Sequence, residues 1–588
     1  MLRSSGMARP SRRAVLAAGG GALGLAALPG PARAAAVPGG GHDVDVHCHV
    51  FCSADLPIVG FVAHYIPGLS DLSRLVSRWP ELVVRALLGV VTRLPNAAAP
   101  TGDAELASLR ALLASPGQGS LVGFPPLPAD TLDQLLAVVT DKLPFSVGAD
   151  KRQIIGRYLD TLYLAAHPRG AIAATLATTY PTIGLFTPSL VDYDAWSDDR
   201  APTPLATQIL IQETIARLSI QGRVGRPDAR FHPFVAFDPR RQAEGPQATP
   251  PPPPPPAPPP VAAPAPLPAS PVKGPPPAPP GSVPPVPVAA APPPATAGVA
   301  PAAARVGAAP PGAPGAAAAA GVRVVVSPAP PPPAPTPSST ALEMVRYAIE
   351  AGGFVGVKVY PPVGFAPIDN IHLRAGEPLS ARIDDALRAL YGYCQAEDVA
   401  ITTHASASNE YAIGLRELVA PHRWRPVLDA FPALRLNFGH FGHDYGVVGS
   451  DTAQAWIHQA ASLIEQHAHV YADLANSPLV YDTKYAARVV GILRDIVKRY
   501  PKVKRRVMYG SDWWLARLDP DAARAVERFR SVLGEVFKPD ELDDVMGRNA
   551  LRFLGFLDDD NRPRAGKAAA RLHRFYAGAP APAWLAPG

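Results

Sequence analysis

The stretch Val44-Asp45-Val46-His47-Cys48-His49-Val50 decides how the rest of the chain is read. β-Branched residues alternate with polar ones, and Gly39-Gly40-Gly41 lies just before it, so the spacing predicts a short β-strand. Residues two apart on a strand point to one face, which sets His47 and His49 side by side. Two imidazoles on one rigid strand can hold a metal without first ordering a loop. Taken alone, a His-x-His pair is better read as two ordinary histidines.

Other stretches repeat the pattern. Ala400-Ile401-Thr402-Thr403-His404 is an apolar run ending in His, and Leu434-Arg435-Leu436-Asn437-Phe438-Gly439-His440 is another. Arg506-Val507-Met508-Tyr509-Gly510-Ser511-Asp512 ends in Asp. Helical stretches separate these runs. In a (β/α)8 barrel the C-terminal strand ends converge on one mouth, where the active site lies. The expected architecture is therefore α/β, a TIM-like (β/α)8 barrel. Histidines plus one carboxylate at that mouth suit a divalent ion, and zinc is the best match to such ligands.

In this order and placement, His47-Cys48-His49, His404, His440-Phe441-Gly442, Gly510-Ser511-Asp512 and the closing Gly547-Arg548-Asn549-Ala550-Leu551 resemble the amidohydrolase superfamily. The likeness is to its amidohydrolase-related group (amidohydrolase 2) of metal-dependent hydrolases and decarboxylases, and it covers residues 41–245 and 341–560. The resemblance implies one divalent metal, zinc, held by His47, His49, His404 and Asp512. It implies that His440 hydrogen-bonds water or substrate and shuttles a proton, and that Asp512 also accepts the water's proton. The implied reaction is cleavage of a C–N or C–O bond of a small organic substrate by metal-activated water. Decarboxylation of a cyclic or aromatic carboxylate is the alternative, and a non-catalytic barrel scaffold is a third reading. Some relatives bridge two metals with a carboxylated lysine from the fourth strand, where Lys358 stands. The simpler reading makes Lys358 a charged barrel residue that orients substrate or pairs with a carboxylate. Arg240, His443 and Trp513 are further candidates for substrate contact, each with a plain loop or packing role as its counterpart.

Around this frame the chain is uneven. Residues 1–36 carry five arginines and no acid, so without them the formal net charge falls from +6 to +1. No basic stripe with interleaved aromatics is left, which argues against a nucleic-acid partner. Ser11-Arg12-Arg13-Ala14-Val15-Leu16 followed by a Gly/Ala/Leu run and Ala32-Arg33-Ala34 reads as a twin-arginine signal peptide. The expectation is export by the twin-arginine machinery to the periplasm or beyond, with no stable membrane span once the signal is removed. Cys48, Cys52 and Cys394 cannot all pair with one another.

The domain reading is a barrel in two parts, 41–245 and 338–560. Residues 53–178, a long connection after the first strand, show helical periodicity at 72–93, 104–114, 132–143 and 151–166, and suggest a helical insertion over the mouth. His64, Tyr65 and Arg157 belong to it. Residues 246–337 hold half of the 74 prolines and read as a disordered Pro/Ala-rich insertion after the third strand. The tail, 561–588, reads as peripheral.

Overall fold

The computed structural model describes residues 43–56, 100–245 and 330–585, except 116, 118, 126, 142–148, 198–199, 407–414, 443–450, 477–482, 518 and 520. The leader expected over 1–36, the helical pattern at 72–93 and the proline-rich segment up to residue 329 lie outside the described residues. So do His64, Tyr65 and His443. The chain divides into two compact units, one of residues 1–248 with 331–588 and one of 249–330, and the described elements belong to the first.

The strands are β1 (Asp43–Cys48), β2 (Ile183–Pro188), β3 in two pieces (Arg230–Phe231 and Phe234–Ala236), β4 (Gly356–Val359), β5 (Ala400–His404), β6 (Arg435–Gly439), β7 (Val470–Asp473) and β8 (Val507–Met508). Each pairs in parallel with the next, with Val357 opposite Ile401 and Thr402 opposite Asn437. A bridge between Ser189 and Phe234 carries the pairing across the break in β3. The ring closes where Val46 N–H donates to the Tyr509 carbonyl and Asp512 N–H to the His47 carbonyl. Nearly every residue of these strands is buried, as a parallel sheet covered by helices requires. The fold is an α/β barrel.

Between β1 and β2 lie α1 (Gly102–Ala114), α2 (Ala129–Asp141), α3 (Ala149–Ala165) and α4 (Arg169–Thr179). The barrel continues with α5 (Leu205–Ile220), α6 (Ala341–Glu350), α7 (Ser380–Ala396), α8 (Arg425–Ala430), α9 (Asp451–Gln466), α10 (Thr483–Arg499) and α11 (Ala525–Leu533). Local chemistry sets some of these boundaries: α6 begins with a reciprocal capping box between Thr340 and Glu343. Part of the β1–β2 connection packs against a barrel helix. α1 lies against α5, where a side chain on Gly102 would strike Thr203 and Thr207. Its anchor is Arg169, fully buried and bonded to Asp55 in the loop after β1 and to Glu105 of α1. α2 and α3 form their own apolar cluster around Leu135, Leu136, Ile155 and Leu159. α3 touches the loop after β8 through Asp160, 2.5 Å from Arg517.

The opposite end of the barrel is closed by α12 (Asn549–Phe553) and α13 (Lys567–Tyr576). Phe553, Leu572, Phe575, Tyr576 and Trp584 pack with Val44, Phe234, Ala400 and Tyr471, which lie in the first half of their strands. This corrects the view of the tail as peripheral. Its Pro/Ala-rich composition hides a helical apolar stripe at Ala568, Ala569, Leu572, Phe575 and Tyr576. Ion pairs from Asp398 to Arg435 and Arg564 fasten the same end. Among the described residues, no helix is long and apolar enough to cross a membrane.

Candidate metal centre

β1 delivers His47 and His49 to the C-terminal mouth, both buried, as the alternation of its sequence predicts. His47 Nδ1 lies 3.0 and 3.1 Å from the two carboxylate oxygens of Asp473, at the end of β7. The contact makes Nδ1 the protonated nitrogen and leaves the Nε2 lone pair facing the mouth. His49 Nδ1 donates to the Ser189 carbonyl at 2.9 Å, so its Nε2 is likewise the basic nitrogen. That Nε2 lies 3.6 Å from Asp512. His440 follows the same rule, with Nδ1 donating to the Ala475 carbonyl at 3.1 Å. One ligand atom each from His47, His49 and Asp512 lies within 4.8 Å of the others, and all three residues are buried.

A second group, His47, His440 and Asp473, meets the same distance condition. Its chemistry differs. The Asp473 carboxylate already accepts from His47 Nδ1, from Asn437 Nδ2 at 2.7 Å, and from the backbone N–H of His440 at 2.9 Å and Ala475 at 3.1 Å. A carboxylate so committed orients an imidazole and has little left for an ion.

His404, at the end of β5, stacks on Tyr360 with ring centroids 4.9 Å apart and lies 4.7 Å from the His440 ring. It stands beside the three-residue group and is not part of it. Lys358 of β4 is also central. It is 1 % exposed, and its Nζ lies 2.9 Å from His47 Nε2. Burial pushes its ammonium down to about 8 against the pull of Asp473 and Asp512. Burial, reinforced by the Lys358 ammonium, holds His49, His404 and His440 well below the usual imidazole range, so all three are neutral at pH 7. Burial raises Asp512, partly offset by His47 and Lys358. It works against Asp473 too, but contact with His47 prevails and holds that carboxyl below the usual range.

The backbone is bent to make this arrangement. His440, Phe441 and Gly442 have φ of 65°, 53° and 70°, a left-handed turn in which only the glycine is at ease. The turn aims the His440 N–H at Asp473. Asp512 is also left-handed, with φ 44°, and its N–H reaches back to the His47 carbonyl. Each such non-glycine residue costs about 1–3 kcal/mol, and such costs concentrate at functional sites. Two glycines let the strands close in on His47. A side chain on Gly510 would sit 2.7 Å from its Cβ, and one on Gly439 would sit 3.1 Å from its Cε1.

The expected substrate contacts fare differently. Trp513 is fully buried and gives its N–H to the His49 carbonyl at 2.5 Å, as Trp514 does at 3.1 Å. Trp513 therefore holds β1's end in place. Trp514 stacks flat on Phe51, with centroids 4.3 Å apart. Arg240 turns to Glu244 at 3.2 Å and lies over Trp196, away from the histidines. Its neighbour Arg241 is the buried arginine, bonded to Asp192 and Asp194. Lys358 meets His47, with the Asp473 and Asp512 carboxylates close enough to act on its charge. Asp473 was not anticipated as a site residue, although Val470-Tyr471-Ala472-Asp473 has the same strand-ending polar residue that singled out His404 and Asp512.

The model of the amidohydrolase family matches residues 228–556, more than half of the chain. Solved structures similar to this chain include an uncharacterized TIM-barrel protein from Bordetella bronchiseptica, with 17 % identity over 37 % of this chain and 62 % of that one, at a TM-score of 0.26. An amidohydrolase from Burkholderia multivorans with bound zinc has 16 % identity over 34 % and 65 %, at a TM-score of 0.25. A candidate metal-dependent hydrolase from Lactobacillus casei has 11 % identity over 87 % and 95 %, at a TM-score of 0.34. The chain thus spans less than two thirds of the first two. No curated protein matches it. With the family model matched over most of the second half of the sequence and the barrel's mouth carrying His47, His49 and Asp512 together, this chain belongs to the amidohydrolase family.

Proposed function

We propose that this protein is an exported, metal-dependent hydrolase that cleaves a C–N or C–O bond of a small organic substrate. One observation carries the reading: His47 and His49 present basic Nε2 atoms beside the Asp512 carboxylate, and each imidazole is locked in that tautomer by a partner on Nδ1. Two imidazoles, each offering Nε2, and a carboxylate form a donor set that fits Zn²⁺ or a similar divalent ion. His404 is the fourth ligand, and the third nitrogen, that we assign to it. An ion bound there supplies Lewis acidity, which polarises a carbonyl and lowers the pKa of water to near 7.

The chain's own residues do the rest. Asp512, its carboxyl raised by burial, takes up the proton released when water attacks. His440 is neutral and held through Nδ1 by Ala475, so its basic Nε2 can take that proton over from Asp512 and hand it to the leaving group. Asp473 fixes His47 and, through the His440 N–H, the turn that carries His440. Phe51, stacked on Trp514 beside His49, gives the mouth an aromatic wall.

Hydrolysis is preferred to decarboxylation because the proposed export suits it and because Arg240, one of two cations, with Arg157, considered for an acidic substrate, pairs with Glu244. Strained backbone at His440 and Asp512 argues against a scaffold, which gains nothing from keeping it. The twin-arginine leader at 1–36, the residues 53–178 as a helical insertion and the Pro/Ala-rich residues 246–337 as a solvated excursion complete the proposal. The test is elemental analysis of the mature protein with an ester, amide and lactone screen, scored also for CO₂ release. One transition metal per chain and hydrolysis without CO₂ is the expected result. CO₂ release without hydrolysis would overturn it.

A further inference from the structure

We infer that Lys358 is the resident cation of the metal seat, and that its ammonium and a metal ion compete for the same lone pair on His47. The inference rests on the metal-site reading above.

The geometry is narrow. Asp473 occupies His47 Nδ1 at 3.0 Å, so the imidazole has one basic nitrogen left, Nε2. Lys358 Nζ lies 2.9 Å from that atom. An ammonium has three donors and no acceptor, so it donates to the lone pair. A metal on an imidazole sits at roughly 2.0–2.1 Å along the same lone pair. One lone pair cannot serve both, and Lys358 has to withdraw before an ion enters.

Charge supports the exchange. Asp473 and Asp512 are both buried, and buried carboxylates need a cation nearby. Lys358 supplies one positive charge in the absence of metal. The Tyr360 ring, its centroid 5.0 Å from Nζ, offers a cationic head a second resting place close to the first. At 1 % exposure the lysine has little surface left for substrate. A lysine that instead bridged metals would raise affinity, so the two roles predict opposite signs.

The experiment is calorimetric titration of ZnCl₂ into the chelator-stripped full-length mature protein, comparing wild type with Lys358→Met, Lys358→Arg and His47→Ala. Lys358→Met keeps the length and removes the donor and the charge. It is expected to bind zinc about tenfold tighter or more, the scale of one charged hydrogen bond. Lys358→Arg retains a permanently charged donor and is expected to bind zinc no more tightly than wild type, which keeps the test open if the methionine variant does not fold; tighter binding by it would overturn the competition. Equal or weaker zinc binding in folded Lys358→Met would overturn the competition. Zinc binding that His47→Ala leaves unchanged, or no binding by wild type and Lys358→Met alike, would overturn the seat itself and the inference with it.

Discussion

The two ends of the barrel are built on opposite terms. At the mouth, histidines and carboxylates from β1, β5, β7 and the loops after β6 and β8 crowd together out of water, and two of them sit in left-handed backbone. At the floor, Phe234, Tyr471, Phe553, Phe575 and Trp584 fill the strand beginnings from α12, α13 and the tail. The mouth spends stability on arrangement and the floor supplies it. Barrel architecture permits this because the strands' two ends are separate surfaces joined by one rigid sheet. A substitution's consequence should therefore depend on which end it touches.

The largest contrast should come from Asp512→Asn. The amide keeps the shape but is a poor metal ligand and no base. Turnover is predicted to fall on the order of 10³-fold, with thermal unfolding nearly unchanged in the metal-free protein. The matching change at the floor is Phe575→Ala. A buried Phe→Ala costs about 3–5 kcal/mol, so the unfolding midpoint should drop sharply while zinc affinity and the activity of the folded fraction stay level. If Phe575→Ala alters zinc affinity, or Asp512→Asn unfolds the protein, the ends are not independent.

The mouth was largely legible in the sequence and the floor was not. His47, His49, His404 and Asp512 announce themselves because each is a polar residue closing an apolar run, a pattern visible in one dimension. Asp473 has the same signature, but its work is to hold another side chain, and the pairing with a residue on β1 becomes visible only in three dimensions. Arg240 and Arg241 show the limit of neighbouring positions. Both follow Asp238, and only the helical turn after β3 decides which is buried. Phe575 and Trp584 were hidden by the Pro/Ala-rich company they keep. That a tail helix should return to the strand beginnings follows from tertiary packing, which composition does not carry.

A finer cut within the mouth separates holding a metal from holding a ligand. Asp473→Asn leaves every candidate ligand in place. It removes the charge that fixes His47 Nδ1–H, so the other tautomer, with its proton on Nε2, becomes accessible. Loss of such an orienting carboxylate typically costs 10–100-fold in metal affinity. Zinc titration of Asp473→Asn should fall in that range, and Asp473→Glu should recover part of it. An unchanged affinity would show that Lys358 alone settles the tautomer.

The smallest effect tests whether the floor is as dry as its packing implies. His232, between the pieces of β3, is fully buried, with Nδ1 against the Gly353 carbonyl at 3.0 Å and Nε2 3.2 Å from the Tyr576 hydroxyl of α13. Burial lowers its pKa to about 4, against about 6.5 for an unfolded chain. Between those values the unfolded state binds the proton and the folded state does not. The neutral imidazole's contribution is therefore complete above about pH 6.5 and is lost as pH falls toward 4. From pH 7 to pH 5 this amounts to about 2 kcal/mol. His49, His404 and His440 titrate with the same sign, so the difference between wild type and His232→Gln, not the profile of either, isolates the floor. In chemical denaturation the wild type should lose about 2 kcal/mol more than His232→Gln over that interval. Parallel profiles would mean that α13 opens readily enough for His232 to protonate in the folded protein. The floor would then be a loosely held plug, and the stability that balances the strained mouth would have to come from the helices packed around the barrel.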